Sequence, residues 1–520
     1  MIKRRIAIAE HMKTVKAYEI FLLCAILLIT GLIVYTNLFH YCYRMNADIA
    51  SEAVLARHIW ESGEALPKSW MPSTEYRILS SANLAALFYG VFQNMSLAMG
   101  CACSVLTFGI LGSLYFFVSQ FSFRREEKLL FLLLCLTLPN HFRMLELFYL
   151  FGSYYAVHII LLFLSLGIYV RLLNSTHVHS VCLAVLVLFS FIIGMQGLRG
   201  ILVINIPMLA TEMARQIYLW YDKSWKKRDG FIAGWCALLL LAGYAGTFTP
   251  YSVGQETTRN VRRGLAKLWN TVLPQAFEAL GFAGVEGIGR GVPLFFLLIA
   301  MGVLGVCLFR LLNRGGGVKP LVWAYLLMWM SLGVMMAAVA FTTTESSSRY
   351  YFVILPIMAF GFICFTHLFQ GKKHSLRIVG CAVALLLLFF QIREIYLPIL
   401  RSEEPPETTE SKVCQYLQEN DYQIAYANFD KGNVITVLSN GSVRGAAVAS
   451  MERMDMCKWL SSTDWYAPNM PYHLRTAYVV SETDWEAFEK FRVQHSDKIW
   501  FETKIGHLYL YGSDYNLSSL

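Results

Sequence analysis

Acidic and basic side chains lie next to long hydrophobic stretches of this sequence. An ionised group at such a position costs free energy unless it has an interaction partner or serves a function. In the segment NADIASEAVLARH, Asp48 and Glu52 share one face of a predicted helix, and Arg57 and His58 follow about a turn later. A carboxylate fixed at a membrane surface can act as general base for an acceptor hydroxyl. The same spacing fits a solvated amphipathic surface helix, so both interpretations stay open.

Arginines form a second set of candidates. Arg199 lies between two hydrophobic runs in GMQGLRGIL without an acidic neighbour in sequence, which favours a phosphate or a distant carboxylate as its partner. The segment QETTRNVRRGLAKLW carries a basic stripe at helical spacing, formed by Arg259, Arg262, Arg263 and Lys267. Because arginine binds phosphate oxygens in pairs, the stripe predicts a phosphate ligand, either on a substrate or on anionic lipid headgroups.

Two more charged segments stand at predicted helix starts. PNHFRMLELFY contains His141, Arg143 and Glu146, and the last two could pair locally or face a ligand. TTTESSSRYYF places Arg349 directly before a hydrophobic run, with Glu345 four residues earlier as the simplest local partner. Spacing alone does not choose between pairing and ligand binding at either segment.

The amino-acid composition indicates what kind of structure positions these charged residues. Of 520 residues, 56% are hydrophobic and 15% are charged, whereas soluble domains keep about 25% charged residues. This composition excludes an ordinary soluble enzyme and a disordered chain. The net charge is +9, but the part from Ile399 onward holds 11 Lys and Arg against 17 Asp and Glu. Basic residues beside hydrophobic runs indicate membrane topology and argue against a nucleic-acid partner.

Eleven stretches are candidates for membrane spans of about 20 residues. They are residues 17–38, 96–120, 129–140, 148–170, 181–197, 200–219, 231–248, 292–309, 321–341, 351–369 and 376–398. The predicted inner segments hold 19 Lys and Arg, more than the outer loops before residue 399. This bias predicts a cytoplasmic N-terminus and an extracytoplasmic C-terminus.

The predicted fold is therefore a polytopic α-helical membrane protein with a small C-terminal α/β domain outside the membrane. The transmembrane domain is predicted over residues 1–398, with a first outer loop at 39–95 and a long outer loop at 249–291. Within the first loop, 78–94 is predicted to form an interfacial or re-entrant helix. In the domain at 399–520, strands are predicted at QIAYANF, NVITVL, TAYVV, IWFET and HLYLY, with a helix at DWEAFEKFRV.

Twelve cysteines show no CxxC pairs and predict neither a zinc scaffold nor a disulfide framework. Cys414 and Cys457 both fall in the C-terminal domain, where they could pair. No metal site is predicted from the sequence. The carboxylates would suit a divalent cation such as Mg²⁺ or Mn²⁺, but no spacing requires one.

The order of these motifs resembles the GT-C superfamily of polytopic membrane glycosyltransferases, in particular its bacterial family-39-like branch of protein mannosyltransferases and aminoarabinose transferases. The resemblance covers about residues 17–398. It rests on an acidic residue, an Arg nine positions later, a Gly turn and a Pro, followed late in the chain by Arg-Tyr before another Pro. The matching residues are Asp48, Arg57, Gly63, Pro67, Arg349, Tyr350 and Pro356. The chain departs from that pattern at Ile49, where a second acidic residue is usual, and at STEYRILSS.

The resemblance implies a sugar donor linked to polyprenyl phosphate and an acceptor glycan, lipid or protein at the outer face of a bacterial plasma membrane. Asp48 would be the catalytic base, with Glu52 or Glu146 as a second carboxylate. The donor phosphate would bind among Arg199, Arg259, Arg262, Arg263, Lys267 and Arg349. Arg57, His58, His141 and Tyr350 would contact acceptor or sugar. Membrane lipids are further partners, and no cofactor is required.

Two other classes of protein fit part of the pattern. A polysaccharide polymerase or ligase would also hold a lipid pyrophosphate with outer arginines, but would not need Asp48. A transporter or flippase commonly shows internal repeats and midplane charges. The sequence shows no evident repeat, and its charges lie near the predicted outer boundary. A structural or sensor membrane protein with a partner-binding tail is a third alternative.

Overall fold

The computed structural model describes residues 2–73, 75–76, 78–174, 180–249, 261–281, 288–313, 319–368, 373–466 and 469–517. Contacts divide the chain into two compact units. The helical unit comprises Met1–Leu32, Thr107–Phe148 and Tyr155–Leu397. The mixed unit comprises Ile33–Leu106, Tyr149–Tyr154 and Pro398–Leu520. The first outer loop thus belongs to the same unit as the C-terminal domain, while the predicted domain boundary at 398/399 stays a prediction.

Helices dominate the chain up to residue 400. In order they are α1 Ile2–Phe39, α2 Ala47–Ser62, α3 Ser81–Phe92, α4 Met95–Ser119, α5 Arg125–Thr137, α6 Phe142–Phe148, α7 Ala156–Asn174, α8 Ser180–Gln196, α9 Leu198–Gly200, α10 Ile206–Tyr221, α11 Lys227–Gly246, α12 Val261–Lys267, α13 Leu273–Ala279, α14 Ile288–Leu312, α15 Pro320–Ala340, α16 Ile354–Leu368, α17 Lys373–Gln391 and α18 Leu397–Leu400. π-helical turns at Ile201–Asn205 and Leu268–Val272 join α9 to α10 and α12 to α13.

Among the described residues, eight helical segments are long and apolar enough to cross a membrane. They are Ala17–Phe39, Met95–Ser119, Ala156–Asn174, Lys227–Gly246, Gly291–Leu312, Pro320–Ala340, Ser348–His367 and Ile378–Leu400. Each overlaps one of the eleven predicted spans, so the chain is a multi-pass membrane protein.

The three other predicted spans are also helical, but their helices are shorter or interrupted. α5 has 13 residues and α8 has 17, whereas the stretch 200–219 combines a π-helical turn with α10. The number of crossings and the orientation therefore stay predictions. The segment predicted to be interfacial contains α3, whose 12 residues are fewer than the roughly 20 a span needs.

Close helix packing in the helical unit depends on glycine and on satisfied polar groups. A Cβ on Gly194 of α8 would lie 1.8 Å from the carbonyl oxygen of Gly243 on α11, so only glycine allows this approach. Asn205 donates from Nδ2 to the carbonyl of Leu239 at 3.0 Å and accepts from the Ser190 hydroxyl at 3.1 Å. These contacts hold the π-helical turn after α9 against α8 and α11.

The mixed unit contains a six-stranded sheet. Its strands are β2 Ile424–Ala427, β3 Arg444–Ser450, β4 Asp455–Met456, β6 Thr476–Ser481, β7 Trp500–Ile505 and β8 Leu508–Ser513, in the order β4-β3-β2-β6-β8-β7. The pairs β2–β3 and β2–β6 are parallel, and the outer pairs are antiparallel. Helices α19 Thr409–Glu419, α20 Phe429–Leu438 and α21 Trp485–Gln494 complete this α/β fold, which confirms the predicted domain type.

One predicted strand of this domain is wrong. NVITVL forms the second half of α20, not a strand. Its β-branched residues favour strands, but Gly432 packs so closely on β3 that a Cβ there would lie 2.8 Å from the amide nitrogen of Ala447. Helical backbone allows this approach and buries both faces of the segment. The strand that does occupy this part of the sheet, β3, is the alanine-rich RGAAVAS, which the sequence patterns missed.

The first outer loop packs on this domain through α2, which contacts both α3 and α20. Beside that contact, β1 Trp70–Met71 pairs antiparallel with β5 Ser461–Ser462, matching Trp70 to Ser462. The indole rings of Trp70 and Trp465 meet edge to face at 6.1 Å. A short strand pair and a buried aromatic contact therefore tie the loop to the C-terminal domain.

Candidate functional site

The cationic part of the candidate site lies in the helical unit and is built around Arg199. Gly197, with φ of +146°, ends α8 in a conformation that side chains rarely adopt, and the chain re-enters helix at α9. This turn places the half-buried Arg199 guanidinium carbon 4.5 Å from the centre of the Tyr155 ring and 5.3 Å from that of Tyr350. The aromatic faces stabilise the cation and fix its direction.

Arg349 joins this cluster from the turn before α16. Its guanidinium carbon lies 6.0 Å from the centre of the Tyr350 ring, at the outer limit for a cation–π contact. The Tyr350 ring thus lies within 6.0 Å of two guanidinium carbons whose arginines are 150 positions apart in sequence. Arginine is well suited to binding phosphate oxygens in pairs, so these two residues are candidates for a phosphate site.

A second basic group meets the same turn. Arg143 Nη1 donates to Glu278 Oε1 at 2.6 Å and to the Ser348 hydroxyl at 3.2 Å. Glu278 lies in α13, so this ion pair ties the short helix α6 to the long outer loop. Neighbouring His141 has a lowered pKa because burial and the positive charge of Arg143 both disfavour its protonated form.

The basic stripe of the long outer loop divides between two environments. Arg262 and Arg263 on α12 are exposed. Lys267 instead donates from Nζ to the carbonyls of Thr342 at 2.9 Å and Thr344 at 2.5 Å, just beyond the end of α15. Partial burial lowers the pKa of Lys267. Arg259 lies outside the described residues, so the stripe as a whole stays a prediction.

The carboxylates of α2 lie in the mixed unit and differ in environment. Asn46 caps the helix by accepting from the Ile49 amide at 2.9 Å, which places Asp48 in the first turn. There the helix dipole favours a negative charge. Asp48 is half-buried, whereas Glu52 is only 3% exposed and lies 3.5 Å from the Ser81 hydroxyl. Asp48 is therefore the more accessible of the two carboxylates.

Arg57 and His58 are engaged in packing of the mixed unit. Arg57 Nε donates to Glu61 Oε1 at 2.6 Å. A Cβ on Gly441 would lie 1.4 Å from Arg57 Nη1, so the guanidinium group presses against the turn after α20. His58 Nε2 lies 2.8 Å from the Ser69 hydroxyl and 3.3 Å from that of Ser462. Their predicted contacts with acceptor or sugar stay predictions.

Several residues in these contacts have no recognisable signal in the sequence. Tyr155, Glu278 and Ser348 are not among the predicted site residues, because one aromatic ring, one carboxylate and one hydroxyl carry no distinctive spacing. The predicted candidate Glu146 lies half-buried in α6. Within the described ranges, no group of three or more His, Cys, Asp and Glu side chains could hold a metal ion.

Comparisons with known proteins bear on the fold. No protein-family model and no curated protein sequence matches the chain. Among solved structures, it is similar to the oligosaccharyltransferase of Archaeoglobus fulgidus in complex with zinc and sulfate, with a TM-score of 0.50 and 13% sequence identity. The match covers 87% of this chain and 67% of that one. This likeness shows a fold shared with that oligosaccharyltransferase, whereas the GT-C superfamily and its bacterial family-39-like branch stay predictions.

Proposed function

We propose that this protein is a membrane glycosyltransferase that moves a sugar from a polyprenyl-phosphate donor to an acceptor hydroxyl at the outer face of a plasma membrane. The observation that carries the proposal is the Arg199–Tyr350–Arg349 cluster on a fold similar to that of an oligosaccharyltransferase. That neighbour's activity favours transfer of a glycan over transport. The bacterial membrane, the orientation and the outer-face acceptor are parts of the proposal.

The chemistry proposed is one direct displacement. The acceptor oxygen forms a bond to the anomeric carbon, while the bond from that carbon to the phosphate oxygen breaks. The electron pair of the breaking bond leaves with polyprenyl phosphate, and the acceptor proton passes to a carboxylate. A single displacement inverts the anomeric configuration. Because phosphate is already a good leaving group, the enzyme mainly has to stabilise negative charge and accept a proton.

Each role is assigned to a residue whose environment suits it. Asp48 is the proposed base because it is accessible and negatively charged groups are favoured in the first turn of α2. Arg199 and Arg349 are the proposed phosphate ligands because their guanidinium groups are oriented by Tyr155 and Tyr350.

We also propose a bound divalent cation, for which only two protein ligands can be named. The structural neighbour is a complex with zinc, and in this chain Asp48 and Glu52 stand one helical turn apart on α2. Two carboxylates are fewer ligands than the six or more oxygen atoms that Mg²⁺, Mn²⁺ or Ca²⁺ prefers. No step of the proposed displacement is routed through a metal.

The decisive experiment follows transfer of a radiolabelled hexose from synthetic hexosyl polyprenyl phosphate to a glycan, lipid or protein acceptor, each supplied in turn, by the full chain in nanodiscs. Asp48→Asn should lower the rate by about 10²–10⁴, the usual contribution of a general base. Glu61→Gln is the matched control, since Glu61 lies on the same helix, is 46% exposed and pairs with Arg57. Full activity of Asp48→Asn would remove the proposed base.

The rival functions are distinguished by supplying each type of donor in turn. A polymerase or ligase would leave hexosyl polyprenyl phosphate unreacted and would transfer glycan only from a polyprenyl-pyrophosphate-linked donor, releasing polyprenyl pyrophosphate. A flippase would move labelled lipid across a reconstituted bilayer without forming a glycosidic bond. Either outcome with the wild-type chain would overturn the proposed transferase.

A further inference from the structure

A large apolar groove lies in the helical unit away from the residues discussed above. Its walls come from α10, α14 and α15, and its volume is about 670 Å³. The lining is almost wholly apolar or aromatic and includes Tyr218, Leu308, Trp323, Trp329, Met330 and Gly333. Its size falls within the range of small-molecule sites in proteins. Two of the walls, α14 and α15, belong to helical segments that are long and apolar enough to cross a membrane, and the third is the amphipathic helix α10, so the surroundings favour a hydrocarbon occupant.

One end of the groove is marked by the ends of the three helices that form it. Tyr221 is the last residue of α10, Leu312 is the last of α14, and Trp323 lies in the first turn of α15. The rings of Tyr218 and Trp323 meet at 5.9 Å. Tyrosine and tryptophan are enriched where membrane spans reach the headgroup region, so this end corresponds to a membrane–water boundary.

Basic residues occur at the helix ends on that same side. Lys223 follows α10 by two residues, Arg310 occupies the last turn of α14, and Lys319 directly precedes α15. All three are exposed, as is the acidic Asp222 beside Lys223. The three helix ends therefore carry an excess of positive charge next to the groove. Basic residues placed between membrane helices at a headgroup boundary are typical of sites for anionic lipids.

The groove differs in position from the Arg199 cluster. Arg199 precedes α10, whereas the basic mouth lies at the other end of that helix, about 24 Å away along its axis. The topology predicted from sequence puts Lys223, Arg310 and Lys319 on the cytoplasmic side. A lipid whose headgroup sits at this mouth is therefore not one whose phosphate contacts Arg199.

We propose that this groove binds one acyl chain of an anionic glycerophospholipid whose headgroup is held by Lys223, Arg310 and Lys319. The apolar groove, the aromatic residues at its boundary and the basic residues at that end all favour such a lipid, whether or not the protein is a glycosyltransferase. Such a lipid would pack between α10 and α15 and stabilise the helices that lead to Arg199.

The experiment compares lipid retention by the full chain purified from nanodiscs made of phosphatidylcholine and phosphatidylglycerol. Native mass spectrometry counts the lipids that survive detergent exchange. We expect the wild type to retain phosphatidylglycerol over phosphatidylcholine. Gly333→Phe should abolish retention because a Cβ at Gly333 meets nothing within 4 Å, so the ring has room to enter the groove.

Matched variants separate the groove from general effects. Gly302→Phe on α14 is the steric control, since Gly302 is exposed, has equal room for a side chain and does not line the groove. Replacing Lys223, Arg310 and Lys319 by Gln together should reduce the phosphatidylglycerol preference by on the order of tenfold or more. Arg393→Gln is the charge control, since Arg393 is 65% exposed and lies outside the groove.

Three results would overturn the inference. The first is equal retention of the two phospholipids by the wild type. The second is undiminished retention of phosphatidylglycerol by both Gly333→Phe and the triple Gln variant. Retention of polyprenyl phosphate in place of phospholipid, in nanodiscs supplied with both, would also contradict the assigned occupant. Size-exclusion elution at the wild-type volume verifies that each variant is folded.

Discussion

The guanidinium carbon of Arg199 lies 4.5 Å from the centre of the Tyr155 ring, although 44 residues separate them in sequence. Tyr155 is 2% exposed, so its ring is a fixed platform. A second ring, that of Tyr350, lies on the same guanidinium group at 5.3 Å. An arginine that contacts two aromatic rings loses little further freedom when an anion binds, which makes it a suitable preorganised ligand.

Substitutions of Arg199 should distinguish the contribution of its positive charge from that of its planar guanidinium group. Arg199→Gln should lower glycosyl transfer by about 10²–10³, the typical effect of removing one preorganised charge contact. Arg199→Lys should recover only part of that loss, because an ammonium group lacks the planar fork that stacks on rings and binds phosphate in pairs. Steady-state kinetics with the polyprenyl-phosphate donor make the measurement, with Arg393→Gln as control. Equal activity of Arg199→Gln and wild type would exclude a role for this side chain.

The ring of Tyr350 should matter more than its hydroxyl. Tyr350→Phe keeps an aromatic face beside Arg199 and Arg349 and should retain most of the activity. Tyr350→Leu removes the cation–π contacts, worth about 0.5–2 kcal/mol, and should lower kcat/KM by roughly threefold to thirtyfold. If Phe and Leu variants behave alike, the ring does not orient the arginines.

The ion pair between Arg143 and Glu278 should contribute little to stability. Its two side chains are 57% and 32% exposed, and exposed pairs typically contribute about 0.2–1 kcal/mol. A double-mutant cycle with Arg143→Gln and Glu278→Gln, read by chemical denaturation in micelles, should give a coupling energy in that range. A coupling well above it would mean that Arg143 and Glu278 belong to a buried network.

Acidification should loosen the contact between α2 and the C-terminal domain. His58 faces Ser69 and Trp70 from the first outer loop and Ser462 and Asp464 from the domain. Burial lowers the pKa of His58 below its ordinary 6.5. The charges of Asp464, Glu61 and Glu64 act in the opposite direction, and that of Arg444 acts with burial.

The sign of the effect follows from proton binding. Because the folded pKa is the lower one, the unfolded chain binds more protons below about pH 6.5, and stability falls as pH decreases through that range. Hydrogen exchange at the amides of β1 and β5 should therefore increase on acidification. His58→Gln should remove this pH dependence, whereas His495→Gln, just after α21, should leave it in place. Acid protection of these amides would contradict the assignment.

The two cysteines of the C-terminal domain should both be thiols. Cys414 is 3% exposed, and its Sγ contacts the carbonyl of Ile435 at 3.3 Å. Burial, helped by the charge of Glu410, raises the pKa of Cys414 to about 12. Cys457 is less buried, with Sγ 3.8 Å from the Trp459 carbonyl. Alkylation and non-reducing mass spectrometry should label Cys457 first and Cys414 only after unfolding, and a Cys414–Cys457 disulfide would contradict this.

Hydrophobic composition and local periodicity determined much of the architecture by themselves. Eight of the predicted spans overlap described helical segments that are long and apolar enough to cross a membrane, because an apolar run of about 20 residues has few alternatives there. The strands β6, β7 and β8 and the helix α21 follow their local patterns as well. The types of side chain that bear on the proposed chemistry, chiefly the arginines and Asp48, are equally evident in the amino-acid sequence.

Tertiary structure decided the partners of those side chains. Arg143 forms an ion pair with Glu278, 135 positions away, whereas the spacing in sequence suggested Glu146. Lys267 donates to backbone carbonyls, whereas the basic stripe in the sequence indicated a phosphate ligand. NVITVL lies in a helix whose Gly432 packs closely on β3, a contact between segments that the local pattern does not show. The tendency of a segment to be buried depends on its own hydrophobic residues, so it can be recognised from the local sequence. Ion pairs, cation–π contacts and close backbone approaches depend on which segments meet, and that is settled only when the chain folds.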